Sequence, residues 1–232
     1  MHGVRGRQGA HLPADDRDGT ARCAIWPVRA GRGVGQTVRV TSDAPGGALI
    51  LINGASSAGK STLAHALRDA LPVPFLHFSL DFFLFGPHVL PRTPDGRLRE
   101  WDAIRPQVFG GFHRCLPALL AAGNNLVVDY IAETPQMWQE FRTLLAGFDV
   151  FLVSLHCPVE ELERRERARG DRGVGDARRD ALTVHTFTGY DLDLSCSDPL
   201  EANVQRVVHA WEHRGEGAAR AFPDSPPAVA AR

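Results

Sequence analysis

The segment Gly54–Ser61 reads Gly-Ala-Ser-Ser-Ala-Gly-Lys-Ser, which follows the pattern G-x-x-x-x-G-K-S. This pattern describes a glycine-rich loop between a strand and a helix, whose main-chain N–H groups surround phosphate oxygens. Lys60 is the only lysine in a chain of 232 residues that otherwise uses arginine as its strong base. A compact ammonium can fold over such a loop, whereas a guanidinium fork fits there badly. The motif therefore predicts a phosphate-binding loop.

Apolar runs alternate with helical patterns along the chain, which is typical of a parallel sheet covered by helices. We predict strands over Ala48–Ile52, Phe75–Ser79, Leu126–Asp129, Val150–Leu155 and Tyr190–Leu194. We predict helices over Lys60–Leu71, Pro106–Ala122, Pro135–Ala146, Val159–Ala168 and Leu200–Trp211. The expected fold class is α/β, a three-layer sandwich with a five-stranded parallel sheet, in which the crossovers are right-handed.

Composition divides the chain into a central domain and two tails. Residues 1–45 are rich in Gly, Arg and Asp without a sustained apolar period, which predicts a disordered or loosely ordered N-terminal tail. Residues 214–232, rich in Ala and Pro, predict a disordered C-terminal tail. The folded domain is expected over residues 46–213, a length that suits one hydrophobic core.

The loop residues have expected roles in holding the phosphates of ATP. Lys60 is expected to bridge the β- and γ-phosphates, and the Ser61 hydroxyl to ligate Mg²⁺. Thr62 can contact the α-phosphate, and the helix that starts near Lys60 adds its positive end. The full set of expected nucleotide-binding residues in the loop is Gly54, Ala55, Ser56, Ser57, Ala58, Gly59, Lys60, Ser61 and Thr62.

Two carboxylates follow predicted strands and are expected at the carboxyl edge of the sheet, where open α/β sheets bind ligands. Asp81 is the candidate general base for a substrate hydroxyl, the alternative being a loop aspartate that caps the next helix. Asp129 is the candidate Mg²⁺-supporting acid, the alternative being an aspartate that bonds its own turn. The sequence leaves the roles of the two aspartates interchangeable.

Residues 163–172 are dense in Arg and Glu and predict a helical lid over about residues 160–185. Arg165, Arg169 and Arg172 recur at helical spacing and can face the nucleotide together. There they would neutralise charge on the transferring phosphoryl group.

The alternative interpretation of this run is a solvated helix with i,i+4 ion pairs. Arg164 and Arg167 are expected at the surface. Gly170 and Gly173 then break the helix, which suits a hinge.

Composition argues against several classes of partner. A net charge of −1 gives no global attraction to nucleic acid or membrane, and no apolar run is long enough for a membrane span. Cys23, Cys115, Cys157 and Cys196 form no C-x-x-C pair or metal-ligand spacing, which predicts reduced structural thiols. Because the first residues lack the apolar core of a signal peptide, a cytoplasmic location is expected.

The loop and the arginine-rich segment resemble motifs of a known family. Ile52–Ser61 is similar to the N-G-x-S-S-A-G-K-S loop of the chloramphenicol phosphotransferase-like proteins. The stretch Ala168–Arg172, followed by Val184-His185 and Tyr190–Asp193, is similar to later motifs of the same family. The resemblance covers about residues 48–211.

The resemblance implies a P-loop kinase-like fold with a helical lid, and ATP and Mg²⁺ as cofactors. It also implies transfer of the γ-phosphate to a primary hydroxyl of a small molecule. Asp81 matches the position of the family's base, and Asp129 that of its acid after the third strand. Arg169 and Arg172 match the arginines of its lid.

The segment Phe82–Pro87 after the matched base does not track the antibiotic-binding protein of the family. Phosphoryl transfer is therefore better supported than chloramphenicol as acceptor. The leading hypothesis is an ATP-dependent small-molecule O-phosphotransferase. The alternatives are a metabolic kinase of the shikimate, gluconate or adenylylsulfate type, and a nucleotide-binding protein without catalysis. The identity of the acceptor and the oligomeric state stay open.

Overall fold

The structure, a computed structural model, describes residues 46–169, 175–215 and 221–222. The predicted N-terminal tail, residues 1–45, lies outside these ranges. The strands are β1 (Ala48–Asn53), β2 (Leu76–Ser79), β3 (Leu126–Tyr130), β4 (Asp149–His156) and β5 (Leu192–Ser195). The helices are α1 (Lys60–Ala70), α2 (Asp81–Phe85), α3 (Trp101–Ala121), α4 (Pro135–Leu144), α5 (Val159–Arg169), α6 (Asp176–Thr183) and α7 (Leu200–Glu212).

The five strands are all parallel and lie in the order β2-β3-β1-β4-β5. β1 is central because its sequence, Ala-Leu-Ile-Leu-Ile-Asn, is apolar on both faces. Leu49 and Leu51 pack with α3 and α4, whereas Ile50 and Ile52 pack with α1 and α7. Burying each of these side chains contributes about 1.5–3 kcal/mol. The predicted α/β sandwich with a five-stranded parallel sheet is confirmed.

The order of the strands sets the position of the site. β1 pairs with β3 on one side and with β4 on the other, so the connections that leave β1 and β3 diverge. Such a switch point opens a crevice at the carboxyl ends of the strands. The Gly54–Ser61 loop follows β1 and therefore lies in this crevice.

Helix α3 begins at Trp101, five residues before the predicted start at Pro106. The prediction treats Pro106 as a first-turn residue, where the missing N–H would cost nothing. Instead Pro106 and Pro117 both lie inside the helix, whose buried face includes Phe112 and Leu116. Tertiary packing therefore outweighs the local cost of the prolines. Among the described helices, α3 included, none is both long and apolar enough to cross a membrane.

Two short helices, α2 and α6, are absent from the list of predicted helices, although α6 lies within the predicted helical lid. α2 starts at Asp81, directly after β2 and Leu80. The start of α6 is capped by another helix: the Glu166 carboxylate accepts the N–H groups of Gly175 at 2.8 Å and Ala177 at 2.9 Å. Because that cap comes from α5, the sequence just before α6 carries no capping signal.

Strand β5 covers Leu192–Ser195, whereas the apolar pattern predicts Tyr190–Leu194. Asp191 still meets β4, since its N–H donates to the Leu152 carbonyl at 2.8 Å and its carboxylate accepts the Leu152 N–H at 2.7 Å. Because the Asp191 carboxylate takes the place of a main-chain acceptor, the regular strand starts at Leu192, one residue after Asp191.

Cys157 and Cys196 form a disulfide, with Sγ atoms 2.04 Å apart and Cα atoms 5.1 Å apart. The prediction of reduced thiols is wrong for this pair. The two cysteines are 39 residues apart in sequence, but each follows one of two neighbouring parallel strands, β4 and β5. Cys115 is a free thiol, and Cys23 lies outside the described residues.

Part of the predicted C-terminal tail, residues 214–232, packs against the domain. The guanidinium of Arg214 donates to the Asp149 carboxylate at 2.7 and 2.9 Å and stacks over the ring of Trp211 at 3.4 Å. Phe222 is 4% exposed and belongs to the core between the sheet, α3 and α4. The ordered domain thus extends beyond the boundary predicted at residue 213.

Candidate active site

The predicted phosphate-binding loop connects β1 to α1, as its motif requires. Gly54 is buried, and a Cβ at this position would lie 2.7 Å from the Leu155 carbonyl oxygen on β4. Glycine is therefore needed here for close packing between two strands. Gly59 has φ of 100° and Ser57 has φ of 63°, both left-handed. Left-handed residues among right-handed neighbours form the concave main-chain nests that bind anions.

Lys60 begins α1 and folds back over the loop. Its Nζ donates to the carbonyl oxygen of Ala55 at 2.7 Å, and the residue is 8% exposed. The ammonium is thus held in the hollow of the loop, beside the N-terminus of α1. A phosphate in this hollow would meet both the ammonium and the positive end of the helix.

Ser61 and Asp129 contact each other across the sheet edge. The Ser61 hydroxyl donates to Asp129 Oδ2 at 2.5 Å, and His77 Nε2 lies 2.9 Å from Oδ1 of the same carboxylate. Hydroxyl and carboxylate oxygens are the ligands that Mg²⁺ prefers. The pair predicted to hold Mg²⁺ therefore fits that ion chemically. His77, on β2, is a part of this site that the sequence did not indicate.

Asp129 is buried, being only 5% exposed. Burial alone would raise the pKa of its carboxyl group, but the contacts with His77 and Ser61 outweigh this and lower the pKa to about 2. The carboxylate therefore stays ionised over the whole physiological range.

Asp81 lies at the carboxyl end of β2, next to β3, and is half-buried. Its main-chain N–H donates to the Ser79 hydroxyl at 3.2 Å, and it is the first residue of α2. Asp81 and Asp129 line the same cleft as the phosphate-binding loop. The sheet thus brings both predicted acids to one site.

The arginines of α5 differ in their position. The guanidinium of Arg165 donates to the Ala58 carbonyl at 3.1 Å and to the Glu161 carboxylate at 2.6 Å, so it lies against the loop. Arg169 lines the cleft, and Arg172 lies outside the described residues. Arg164 is exposed and pairs with Glu161, as expected of a surface residue.

Helix α6 contributes side chains that sequence reasoning missed. Asp180 is 6% exposed, and its Oδ2 accepts the main-chain N–H of Ser56 in the phosphate-binding loop at 3.1 Å. Arg179 pairs with Asp176 at 2.9 Å, and these three residues of α6 all line the cleft. The sequence signal for them is the pair of acids, Asp176 and Asp180, that flanks two arginines within the predicted lid.

The far end of the cleft is lined by aromatic side chains and one ion pair. Arg105 Nη2 lies 2.6 Å from Glu133 Oε2, and the guanidinium stacks over Phe109 at 4.3 Å. The ring of Trp101 lies 6.3 Å from that of Phe109. These groups and the phosphate-binding loop line one cleft with a volume of about 760 Å³. It is large enough for two small molecules to meet.

The side chain of Asn53, at the end of β1, links three parts of the site. Its Nδ2 donates to the Val184 carbonyl at 2.8 Å and lies 2.7 Å from the Tyr190 hydroxyl. Its Oδ1 accepts the N–H of Ala132, beyond β3, at 3.0 Å. Asn53 thus ties the end of α6 and the β3–α4 connection to the start of the loop.

His185 extends this network, since its Nδ1 lies 3.0 Å from the Tyr190 hydroxyl. Its ring stacks on that of His156, with centroids 3.9 Å apart. Burial, together with the neighbouring His156, lowers the pKa of His185 to about 4. Burial also raises the pKa of Tyr190 to about 12. Both groups are therefore neutral at physiological pH.

Known proteins resemble this chain in sequence and in fold. The chain matches the chloramphenicol phosphotransferase-like proteins over residues 47–212. A Mycobacterium tuberculosis H37Rv protein named as an O-phosphotransferase is 30% identical over 204 residues, which cover 80% of this chain and 90% of that protein.

The solved structures are less similar to this chain in sequence, so they show only that the fold is shared. The APS kinase CysC of Mycobacterium tuberculosis, solved with AMPPNP and APS, aligns with a TM-score of 0.56 and 20% identity, covering 73% of this chain and 99% of that chain. The tunicamycin resistance protein of Deinococcus radiodurans aligns with a TM-score of 0.52 and 18% identity, covering 70% and 94%.

The fold, the family match and the relatives together define the class of this protein as a kinase-type P-loop phosphotransferase. More particularly, the chain belongs to the chloramphenicol phosphotransferase-like family, since the match runs from before β1 to the end of α7. The resemblance inferred from the loop and the arginine-rich segment is confirmed.

Proposed function

We propose that this protein transfers the γ-phosphate of ATP to a hydroxyl group of a small molecule. The observation that carries the proposal is the single cleft that joins the phosphate-binding loop to Asp81 and to the Ser61–Asp129 pair. A donor bound on the loop would present its terminal phosphate to an acceptor at the aromatic end. The same cleft therefore serves both substrates.

In this proposal Asp81 is the general base, which orients the acceptor hydroxyl and takes its proton. Asp129 contacts the Ser61 hydroxyl that would ligate the metal. This contact supports Asp129 as the acid beside the metal and Asp81 as the base. Ser61 and Asp129 would hold Mg²⁺, which supplies charge neutralisation at the phosphate oxygens.

Lys60, Arg165 and Arg169 would stabilise the charge that spreads over the transferring phosphoryl group. Lys60 lies in the hollow of the loop, and Arg165 contacts the loop at the Ala58 carbonyl and lines the same cleft. Arg172 is assigned to the same role from the family motif alone.

The end of the cleft that would take the acceptor favours an uncharged compound. We assign three of the charged cleft residues to this end, because Asp81 and Arg105 lie on the helices that carry its aromatic side chains and Glu133 pairs with Arg105. These two carboxylates and one guanidinium leave a formal charge of −1. Arg105 is already paired with Glu133. A carboxylate or sulfate on the acceptor would meet net repulsion here. We therefore favour a neutral hydroxyl compound with an apolar body over shikimate, gluconate or adenylylsulfate.

The test is a panel of hydroxylated metabolites and antibiotics incubated with the protein, ATP and Mg²⁺, with chloramphenicol first. Phosphorylation is detected as the mass gain of one phosphoryl group on the acceptor. Neutral members should be modified and anionic members should not. Tight ATP binding without modification of any compound would favour the nucleotide-binding protein without catalysis.

Once an acceptor is found, Asp81→Asn should lower its phosphorylation rate at least about a hundredfold. Asp95→Asn is the control, because Asp95 is an exposed loop residue paired with Arg97. A rate unchanged by Asp81→Asn would exclude Asp81 as the base.

A further inference from the structure

The carboxylate of Asp180 touches the phosphate-binding loop from α6, 124 residues later in the chain. Its Oδ2 accepts the Ser56 N–H at 3.1 Å, and the residue is 6% exposed. A buried negative charge beside a loop that binds anions opposes the binding of a phosphate. The contact therefore needs a physical explanation.

The N–H of Ser56 is a main-chain donor of the phosphate-binding loop. A main-chain N–H carries one proton, and one well-placed acceptor satisfies it. With Asp180 Oδ2 as its acceptor, the Ser56 N–H is committed to α6 and is not offered to a phosphate oxygen. In the absence of nucleotide, this contact keeps the buried N–H paired.

Helix α6 is held at both ends, so Asp180 is presented from a fixed support. At the start, Glu166 caps the N–H groups of Gly175 and Ala177. At the end, the Val184 carbonyl accepts a hydrogen bond from Asn53 at 2.8 Å. Ala177 and Val184 are 0% and 1% exposed and pack in the core.

The charge of Asp180 is only partly balanced by its surroundings. Arg179 Nη2 lies 3.8 Å from Asp180 Oδ1 but closer to Asp176, at 2.9 Å, and its side chain is 70% exposed. Burial, with a smaller effect of Glu133, raises the pKa of Asp180, whereas the Ser56 N–H, Arg179 and Lys60 act to lower it. The fold therefore places an acidic side chain directly beside the anion-binding loop.

We propose that Asp180 is a positioning residue that holds Ser56 in the empty loop and, through its charge, weakens the binding of nucleotide phosphates. This inference rests on the proposed nucleotide binding by the loop. The weakened binding would speed the release of spent nucleotide, a step that limits turnover in many enzymes.

The experiment measures, by calorimetry at pH 8, the Kd of the full-length protein for ADP and for a non-hydrolysable ATP analogue with Mg²⁺. Asp180→Asn keeps an oxygen acceptor for Ser56 and removes the charge. We expect its Kd for the ATP analogue to fall about tenfold, and its Kd for ADP to fall less. Asp69→Asn, which removes an exposed charge from α1 outside the cleft, should change either Kd by less than about twofold.

Asp180→Ala removes both the acceptor and the charge, so it should bind less tightly than Asp180→Asn. If Asp180→Ala does not fold, the comparison of Asp180→Asn with the wild type decides alone. A Kd that is unchanged or higher in Asp180→Asn overturns this inference while leaving the proposed function intact. Failure of the wild-type protein to bind either nucleotide overturns the proposed function instead.

Discussion

The side-chain ammonium of Lys60 lies 2.7 Å from the main-chain carbonyl oxygen of Ala55, five residues earlier in the same loop. The only lysine of the chain is thus folded into the hollow that its motif forms. The residue is 8% exposed, so this space is confined. The contact explains why a chain that otherwise uses arginine carries lysine at this position.

Lys60→Arg keeps the charge but replaces the compact ammonium with a planar fork that this space does not fit. We expect phosphoryl transfer, measured as kcat/KM for ATP, to fall at least about a hundredfold. Circular dichroism and thermal melting should show an intact fold. Arg68→Lys, on the exposed side of the same helix, is the control and should leave activity unchanged. Near-normal activity of Lys60→Arg would make the solitary lysine incidental.

Asp129→Asn should raise the Mg²⁺ concentration needed for half-maximal activity by about tenfold or more. The reason is that the amide removes the negative charge that faces the Ser61 hydroxyl. His77→Asn should produce a smaller shift, because His77 acts on the metal only through Asp129. Titration of activity with Mg²⁺ measures both. Asp69→Asn, a surface change on α1, is the control. If Asp129→Asn needs no more Mg²⁺ than Asp69→Asn does, Asp129 does not support the metal.

Arg169→Ala should lower kcat about a hundredfold, because the guanidinium lines the cleft near the proposed site of transfer. Arg167→Ala is a matched control two residues away. Its side chain is 61% exposed and lies 4.0 Å from Glu163, and such a surface pair contributes little. Steady-state kinetics of both variants give the comparison. If Arg169→Ala and Arg167→Ala change kcat equally, the arginines of α5 are solvated surface residues.

Reduction of Cys157–Cys196 should lower the free energy of unfolding. A loop closed over 39 residues corresponds to about 4 kcal/mol in the chain-entropy treatment. Denaturant unfolding with and without a dithiol reductant measures the difference, and the double change Cys157→Ser with Cys196→Ser should reproduce it. Cys115→Ser should retain the response to reductant. A midpoint that is insensitive to reductant would exclude the disulfide in solution.

The pH dependence of stability should carry a contribution from His185. Its folded pKa of about 4 lies below the ordinary value of 6.5, so the unfolded chain holds more protons between these values. The free energy of unfolding should therefore fall as pH falls from about 6.5 to about 4. His185→Phe should flatten this slope, whereas His88→Asn, at an exposed loop position, should leave it unchanged. An unaltered slope in His185→Phe would refute the contribution.

Much of the fold was readable from local pattern. The strand before Gly54 and the helix after it are each encoded by an apolar run or a helical period within a few residues. α3 shows the limit of such reading, because Pro106 signals a helix start whereas packing carries the helix back to Trp101. α6 shows another limit, since its cap comes from Glu166 on a different helix.

The candidate site, like the fold, could be predicted only in part from local sequence. Asp81 and Asp129 could be named as acids at strand ends, but the Ser61 contact that separates their roles spans 68 residues. The Arg105–Glu133 pair, which argues for a neutral acceptor, spans 28 residues and leaves no periodic trace. No local pattern reports a pairing between side chains on different elements.

The sequence by itself determined the phosphate-binding loop, the α/β class and the family, because each depends on residues that act on their own neighbours. Only the tertiary structure decided that Asp180 faces Ser56, that His77 supports Asp129, and that two distant cysteines meet. Those contacts follow from the order of the strands and from how the helices pack on them. Burial and charge at the site depend on that arrangement, which becomes defined only when the whole chain has folded.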